Sequence, residues 1–302
     1  MRNVKLRLRF RRTLPLMLMF APVVAFFIIF RYVPMLGNVI AFKQYNLLEG
    51  VWGSPWVGLD NFRMMFQNPQ TLQIIRNTFV LSLLSILLGF PFPILLAVML
   101  NEMRKMWLKK TVQTLLYLPH FFSWVIVGGL VITLFGTQAG MINNWIASMG
   151  GEPISFLYKV ETWLPIFFGS AIWKEAGFSA IIYLAAVSSI DPHLYESASI
   201  DGAGKFKQIR HVTLPGIFPV ISIMFILAMG RVMEVGFDQV YNLQNAVVSS
   251  VSSVISTYIF TVGIQGGLYS ITTAMGLFEA MIGLVLVVLA NRIAKTFNQS
   301  LW

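Results

Sequence analysis

The sequence contains no cysteine. That excludes disulfides, thiolate metal sites and cysteine nucleophiles, and it leaves the redox compartment open. Charge is the second shortage. Asp, Glu, Lys and Arg make up 11% of the 302 residues, against 57% hydrophobic, whereas a soluble domain is about 25% charged. So few charges cannot cover a water-facing surface, and a mean hydropathy of +0.73 makes lipid the natural solvent. Histidine is scarce as well. His120, His193 and His211 lie in different segments with no pair at i, i+4, so a zinc site has no support. There is no G-x-x-x-x-G-K-[ST] phosphate loop, so ATP hydrolysis by that route is excluded. No nucleophile–base constellation and no paired catalytic carboxylates emerge, which places a membrane enzyme low.

What the chain does have is long charge-free runs. A membrane-crossing helix needs about 20 mainly apolar residues. Thr13 to Phe30, Asn77 to Asn101 and His211 to Gly230 carry no charge. Thr111 to about Phe135 reads as a further span, with Gly136 to Gly151 small and polar enough for a loop. Trp163 to about Ser188 holds one charged pair, Lys174-Glu175, and Leu268 to Ala290 holds Glu279. The expectation is an all-α polytopic membrane protein of about six spans. It divides into a basic segment (1–12), a transmembrane domain (13–291) and a tail (292–302).

The net charge of +10 has a plain explanation in topology. Lys and Arg gather in alternate connections: Arg2, Lys5, Arg7, Arg9, Arg11 and Arg12; Arg104, Lys105, Lys109 and Lys110; Lys205, Lys207 and Arg210; Arg292 and Lys295. The other connections hold Lys43, Arg63 and Lys159, with Arg31, Arg76 and Arg231 at the span edges. The positive-inside rule then puts both termini in the cytoplasm. No basic stripe with interleaved aromatics appears, so nucleic acid is not an expected partner. The N-terminus also has an Arg-rich, then apolar pattern, but Arg31, Tyr32 and Pro34 follow it instead of a small-x-small cleavage site; a retained first helix is favoured. Of the outer loops, 35–72 carries Trp52, Trp56, Asn61 and Phe62. In 235–269 the apolar stretch Ala246 to Thr261 reads as a short helix at the interface.

The segment 190–215 is the most informative. Asp191 followed by Pro192 is a helix start, an N-cap acceptor and then Pro at N1. Ile190 and Tyr195 fall at the spacing of a hydrophobic staple, and Gly202 is placed to stop the helix. The middle, Ser197-Ala198-Ser199, is small enough to let another surface come close. Basic residues follow, and Leu214-Pro215 opens the fifth span. Lys109-Lys110 and then Leu118-Pro119 form a weak echo of this entry before the third span.

This loop resembles the EAA loop of the permease subunits of binding-protein-dependent importers of the ATP-binding-cassette (ABC) class. That loop reads E-A-A, three residues, G, nine residues, I-x-L-P. Here Glu196-Ser197-Ala198, Gly202 and Val212-Thr213-Leu214-Pro215 keep every spacing, with Ser197 for Ala and Val212 for Ile. Ile190-Asp191-Pro192, Asp201-Gly202-Ala203, Trp173-Lys174-Glu175 with Gly177, and Leu289-Ala290-Asn291-Arg292 look like the carbohydrate branch. The resemblance implies a type I importer subunit in the bacterial cytoplasmic membrane. Its loop would be a coupling helix seated in a separate ATPase, with Glu196, Ser197, Ala198, Asp201, Gly202, Leu214 and Pro215 as coupling residues. It also implies a second homologous permease subunit, two ATPase subunits holding ATP and Mg, and an external solute-binding protein. No cofactor is expected in this chain. An ion-coupled secondary transporter is the alternative.

Intramembrane charges are functional candidates by default. Lys174 and Glu175 are neighbours, so on a helix they point about 100° apart and are not expected to pair. Glu279 lies near the centre of the sixth span. Glu234 and Asp238, four apart at the end of the fifth, would share one face. Sugars are bound by aromatic stacking and hydrogen bonds, which adds Trp124, Trp173 and Tyr241, with Tyr183, Phe237, Gln239 and Asn242, as substrate-path candidates. Pairing with other helices is the plainer role for the charges, and packing is the plainer role for the aromatics.

Overall fold

A computed structural model describes residues 2–296, with side chains from 13 to 295. The basic residues before Thr13 and most of the tail fall outside the described side chains. Among the described residues the chain is helical throughout, and the one β pairing is an isolated bridge between Lys43 and Trp56. Five helical stretches are long and apolar enough to cross a membrane: Thr13–Phe42, Pro69–Glu102, Val160–Ser188, Lys205–Gly230 and Tyr269–Lys295. A sixth candidate is a bent pair, Met106–Phe121 and Trp124–Phe135, turned through 102°. We refer to these as the first to sixth spans in chain order, the bent pair being the third.

The third span is therefore broken where the sequence reading had it continuous. Pro119 lies in a short 3₁₀ turn, Leu118–Phe121, and the chain is extended at Phe122 and Ser123. Ser123 then caps a new helix, its hydroxyl accepting from the Ile126 amide at 3.4 Å. The two Leu-Pro pairs thus act differently. Leu214-Pro215, expected to open the fifth span, lies inside the continuous Lys205–Gly230 helix just past a π turn, while Leu118-Pro119 closes a helix. The stretch after Phe135, expected as a loop, contains a helix, Met141–Ser148. Asn143 is buried there, and its amide donates to the Gly136 and Ile154 carbonyls at 3.0 and 2.8 Å, so the side chain holds both flanks of an otherwise unpaired turn.

Packing divides the chain into two units. One reaches to Gln67 and takes in Val262–Leu277; the other runs Asn68–Thr261 and resumes at Phe278. In the first unit, side chains 13–36 are exposed, as an apolar helix can be when its solvent is lipid. The loop after them is held by buried polar side chains. Lys43 is buried, with its ammonium donating to the carbonyls of Val51 and Trp52 at 2.8 and 3.1 Å. Asn61 donates to the Ala41 and Lys43 carbonyls at 2.8 and 3.0 Å.

The second unit is built around the fourth span. Trp163, Phe167, Phe168, Lys174, Ala176, Gly177, Ala180 and Tyr183 are buried along it. Its upper half packs with Leu81, Val131, Val235, Val240, Leu243, Val248 and Val254; its lower half packs with Ala97 of the second span and, across Tyr183, with Val220, Ile221 and Met224 of the fifth. Residues 246–261 are not a helix lying at the interface. They form two single turns, Ser249–Ser252 and Ile255–Tyr258, followed by a π turn, and Val248, Ser252, Val254 and Ile255 are fully buried. Long-range bonds hold them in. Asn77 donates to the Ser250 and Ser253 carbonyls at 2.9 and 3.2 Å, and the Ile255 amide donates to the Thr78 hydroxyl at 2.9 Å. Polar side chains of the second span supply the hydrogen bonds that this irregular backbone cannot make within itself.

Candidate functional site

The 190–215 segment folds as its residues dictate. Asp191 has extended backbone and its carboxylate accepts from the His193 amide at 3.0 Å, which satisfies one of the orphan donors of a helix start. The helix runs Pro192–Ile200. At its end Gly202 adopts φ +73°, a left-handed conformation that costs other L-residues about 1–2 kcal/mol. The Gly202 amide donates to the Ser199 carbonyl at 3.1 Å and the Ala203 amide to the Ala198 carbonyl at 2.8 Å. That pair of bonds is the Schellman closure.

Two neutral ties join this helix to the start of the fifth span. The Tyr195 and Thr213 hydroxyls are 3.0 Å apart. Gln208, buried, donates to the Ser199 hydroxyl at 2.9 Å and the Ala203 carbonyl at 3.1 Å. Thr213 is buried at the end of a π turn, Ile209–Thr213, where the backbone hands over to Leu214–Gly230. Ile190 lies against Gly216, whose missing side chain makes room for it: a Cβ there would come within 2.7 Å of the Ile190 Cδ1. A third tie is ionic. Lys205 Nζ lies 2.9 Å from Glu102 Oε2, joining the first residue of the Lys205–Gly230 helix to the last residue of the second span. Both charges sit at helix ends where the dipole disfavours them, so each offsets the other's misplacement.

The opposite side of the helix is open. Glu196 and Ser197 are exposed, Leu194 is 54% exposed, Ile200 86% and Phe206 76%. His193 Nδ1 lies 3.0 Å from Glu196 Oε2. Ala198 is half-buried, and Ser199 bonds inward to the Tyr195 carbonyl at 2.7 Å and to Gln208. Thus Glu196 and Ser197 face outward with three large apolar side chains around them, while Ala198 and Ser199 seat the helix.

Among the intramembrane candidates, Trp124, Lys174 and Glu175 come together. Lys174 and Glu175 do pair, against expectation: Lys174 Nζ lies 2.7 Å from Glu175 Oε1. The 100° between their Cα–Cβ directions is spanned by the long lysine stem. Lys174 Nζ also donates to the His120 carbonyl at 3.0 Å and stands 5.5 Å from the Trp124 ring centroid, a cation–π distance. Glu175 Oε2 lies 2.7 Å from His120 Nδ1, and the His120 ring stacks on Phe178 at 4.0 Å. The sequence reading missed His120 and Phe178, because His120 is 54 residues away from Lys174 and only the break in the third span turns it inward. Gly177 completes the contact. A Cβ there would lie 2.0 Å from the Leu116 carbonyl oxygen, so the two backbones touch.

The other candidates lie elsewhere. Trp173 lines a mainly apolar cavity of about 690 Å³ with Leu130, Leu134, Met141 and Pro165. Glu234 and Asp238 do not share a helix face. The fifth span ends at Gly230, a turn follows, and Asp238 belongs to a new helix, Phe237–Leu243. Glu234 instead lies near enough to Glu279, half-buried on the sixth span, for the two carboxylates to repel. Close packing of Gly230 and Gly283 brings the fifth and sixth spans together there: a Cβ on Gly283 would lie 2.9 Å from the Gly230 carbonyl oxygen. Tyr241 stacks on Phe237 at 5.1 Å and meets Phe260 edge-on at 5.5 Å. Among the described residues no group of three or more His, Asp or Glu could hold a metal ion.

Residues 89–302 match the family described as binding-protein-dependent transport system inner membrane component. The chain belongs to that family. It is 48% identical over 284 residues to the polygalacturonan/rhamnogalacturonan transport system permease protein YteP of Bacillus subtilis (strain 168), covering 94% of this chain and 88% of that one. It is 43% identical over 284 residues to protein LplB of the same organism, covering 94% and 89%. Among solved structures, a chain of a bacterial ABC transporter involved in the import of the acidic polysaccharide alginate matches with a TM-score of 0.89 and 43% identity, over 97% of this chain and 99% of that one. A chain of a bacterial alginate ABC transporter in complex with an alginate pentasaccharide-bound periplasmic protein also matches, with a TM-score of 0.89 and 43% identity over 97% of this chain and 98% of that one. As a member of this family the chain is a membrane-embedded transport component, and its capped 192–200 helix and broken third span belong to a permease.

Proposed function

We propose that this chain is one of two homologous permease subunits of an ATP-driven importer that carries an acidic oligosaccharide into the cell. A separate pair of ATPase subunits binds ATP and Mg, and an external solute-binding protein delivers the substrate. The observation that carries the coupling half is the 192–200 helix. It is capped at both ends from its own sequence and tied to the fifth span by Tyr195, Gln208 and Thr213, yet it presents Leu194, Glu196, Ser197 and Ile200 to the outside, with Phe206 exposed just beyond its end. Such a helix is a lever: a push on the open face reaches the fifth span through hydrogen bonds and the second through Lys205 and Glu102. Seating that face in an ATPase cleft converts closure of the ATPases into movement of the spans. The loop is then cytoplasmic, as are both termini.

The substrate half rests on the relatives. Polygalacturonan and alginate are both polyuronates, so the shared chemistry is a chain of sugar rings bearing carboxylates. The Trp124–Lys174–Glu175 group and the Phe237–Tyr241–Phe260 aromatics are the groups in this chain suited to hydroxyls and ring faces.

The test is reconstitution of the full complex in proteoliposomes. Uptake of an oligouronate requires ATP. Glu196→Lys or Gly202→Pro stops uptake while the subunit still inserts and still assembles with its partner permease. Normal uptake by either variant removes the coupling assignment. Purification of a tagged chain that transports alone, without ATPases, would favour an ion-coupled carrier instead.

A further inference from the structure

Glu175 lines a cavity of about 280 Å³ together with Ser85, Phe90, Ser179, Tyr183 and Met224, from the second, fourth and fifth spans. The walls are otherwise apolar, and Phe90 and Tyr183 meet edge-on at 6.3 Å. Aromatic faces, three hydroxyls and a carboxylate make a lining suited to a sugar ring. For a uronate, however, a free carboxylate in such a wall is repulsive, and in a site poor in water that repulsion is strong.

The arrangement around Glu175 removes it. Both carboxylate oxygens are occupied, Oε1 by Lys174 Nζ at 2.7 Å and Oε2 by His120 Nδ1 at 2.7 Å. The lysine side chain is only 7% exposed, whereas that of Glu175 is 43% exposed. Lys174 thus stands behind Glu175, out of reach of anything in the cavity. Its position is fixed from three further directions: the His120 carbonyl, the Trp124 ring, and the backbone contact of Gly177 with Leu116 one turn along. A lysine meant to grip a substrate carboxylate would reach into the cavity. This one is placed to cancel a neighbour.

We propose that Lys174 is a specificity-determining positioning residue: by neutralising Glu175 from behind, it lets the cavity accept an anionic saccharide, while the second lone pair of each Glu175 oxygen can still accept from a sugar hydroxyl. This rests on the acidic-oligosaccharide reading given above.

The experiment compares uptake of an oligogalacturonate with that of its methyl ester, which keeps the sugar and loses the charge, by the reconstituted complex with one binding protein throughout. The binding protein's own preference cancels when each variant's acid-to-ester ratio is divided by that of the wild type. For Lys174→Met the ratio falls at least about tenfold, the lower end of what one unmasked charge a few ångströms from a substrate carboxylate gives outside bulk water. For Lys174→Met with Glu175→Gln the ratio returns to within about twofold of wild type, and Lys174→Arg holds it. Should Lys174→Met insert poorly, Glu175→Gln alone decides: its ratio stays level or rises. If acid and ester fall together in Lys174→Met, or if Glu175→Gln lowers the ratio, Lys174 only supports the fold and the inference is wrong. A wild-type complex that takes up neither acid nor ester, yet transports a neutral oligosaccharide with its binding protein, overturns the substrate reading itself and this inference with it. That failure is recognisable because it appears before any substitution is made.

Discussion

The 190–215 segment and the 231–261 segment lie at the two ends of the fifth span, and they are held in opposite ways. The first makes its structure from itself. Its N-cap, its Schellman closure and its seat on Gln208 are bonds between residues at most 18 apart. The second has no regular helix longer than Phe237–Leu243 and is anchored by distant partners. Trp163 donates to the Leu243 carbonyl at 2.8 Å, Gln239 to the Phe167 carbonyl at 2.7 Å, and Asn245 to the Leu157 carbonyl at 2.8 Å. The lesson is about where an irregular backbone can live. With water on one side, a short helix closed by its own caps suffices. Inside a bundle, each unpaired amide or carbonyl needs a donor or acceptor brought from another span.

Substitutions that break this contrast have graded effects. Trp163→Ala removes a fully buried ring that stacks on Phe167 at 4.9 Å and frees the Leu243 carbonyl, and it destabilises by about 3–5 kcal/mol. Thermal unfolding of the purified complex in detergent reads this as the largest drop of the set. Asn77→Ala takes the side-chain donor from the Ser253 carbonyl and leaves the Ser250 carbonyl with Gln73 alone, for about 1–2 kcal/mol, and limited proteolysis detects faster cleavage between residues 245 and 262. Gly202→Ala forces a Cβ into a left-handed conformation, costing about 1–2 kcal/mol; because nothing lies within 4 Å of that Cβ, the loss appears in local hydrogen exchange of Ala203 more than in global unfolding. Asp191→Ala loses the N-cap for about 1 kcal/mol, while Asp191→Asn is close to neutral. If Asp191→Ala lowered the unfolding temperature as far as Trp163→Ala, the distinction between a locally and a globally held segment would fail.

The same distinction explains what could be read in the sequence. The caps of the 192–200 helix were legible residue by residue, because Asp191, Pro192 and Gly202 act within a few positions of themselves. The spans were legible from length and hydropathy. The break at Phe122-Ser123 was not, since Leu118-Pro119 resembles Leu214-Pro215 and only packing decides that one closes a helix while the other is carried inside one. Lys174 and Glu175 were legible as unusual charges but not as a pair, because helix geometry gives the directions of Cβ atoms and not the reach of a lysine stem. His120 could have been suspected as the lone histidine within a charge-free run. The burial of 246–261 left no local trace, its partners Asn77 and Thr78 being about 175 residues away, the 173 and 177 separating them from Ser250 and Ile255.

The Glu102–Lys205 contact has a mechanical consequence. Of the three ties that hold the 190–215 segment, two are neutral hydrogen bonds to buried side chains and one is an ion pair with side chains 27% and 65% exposed. Added salt weakens the exposed pair and barely touches the buried bonds. The segment is therefore a joint with one stiff hinge, toward the fifth span, and one whose stiffness follows the ionic strength of the surrounding solution, toward the second.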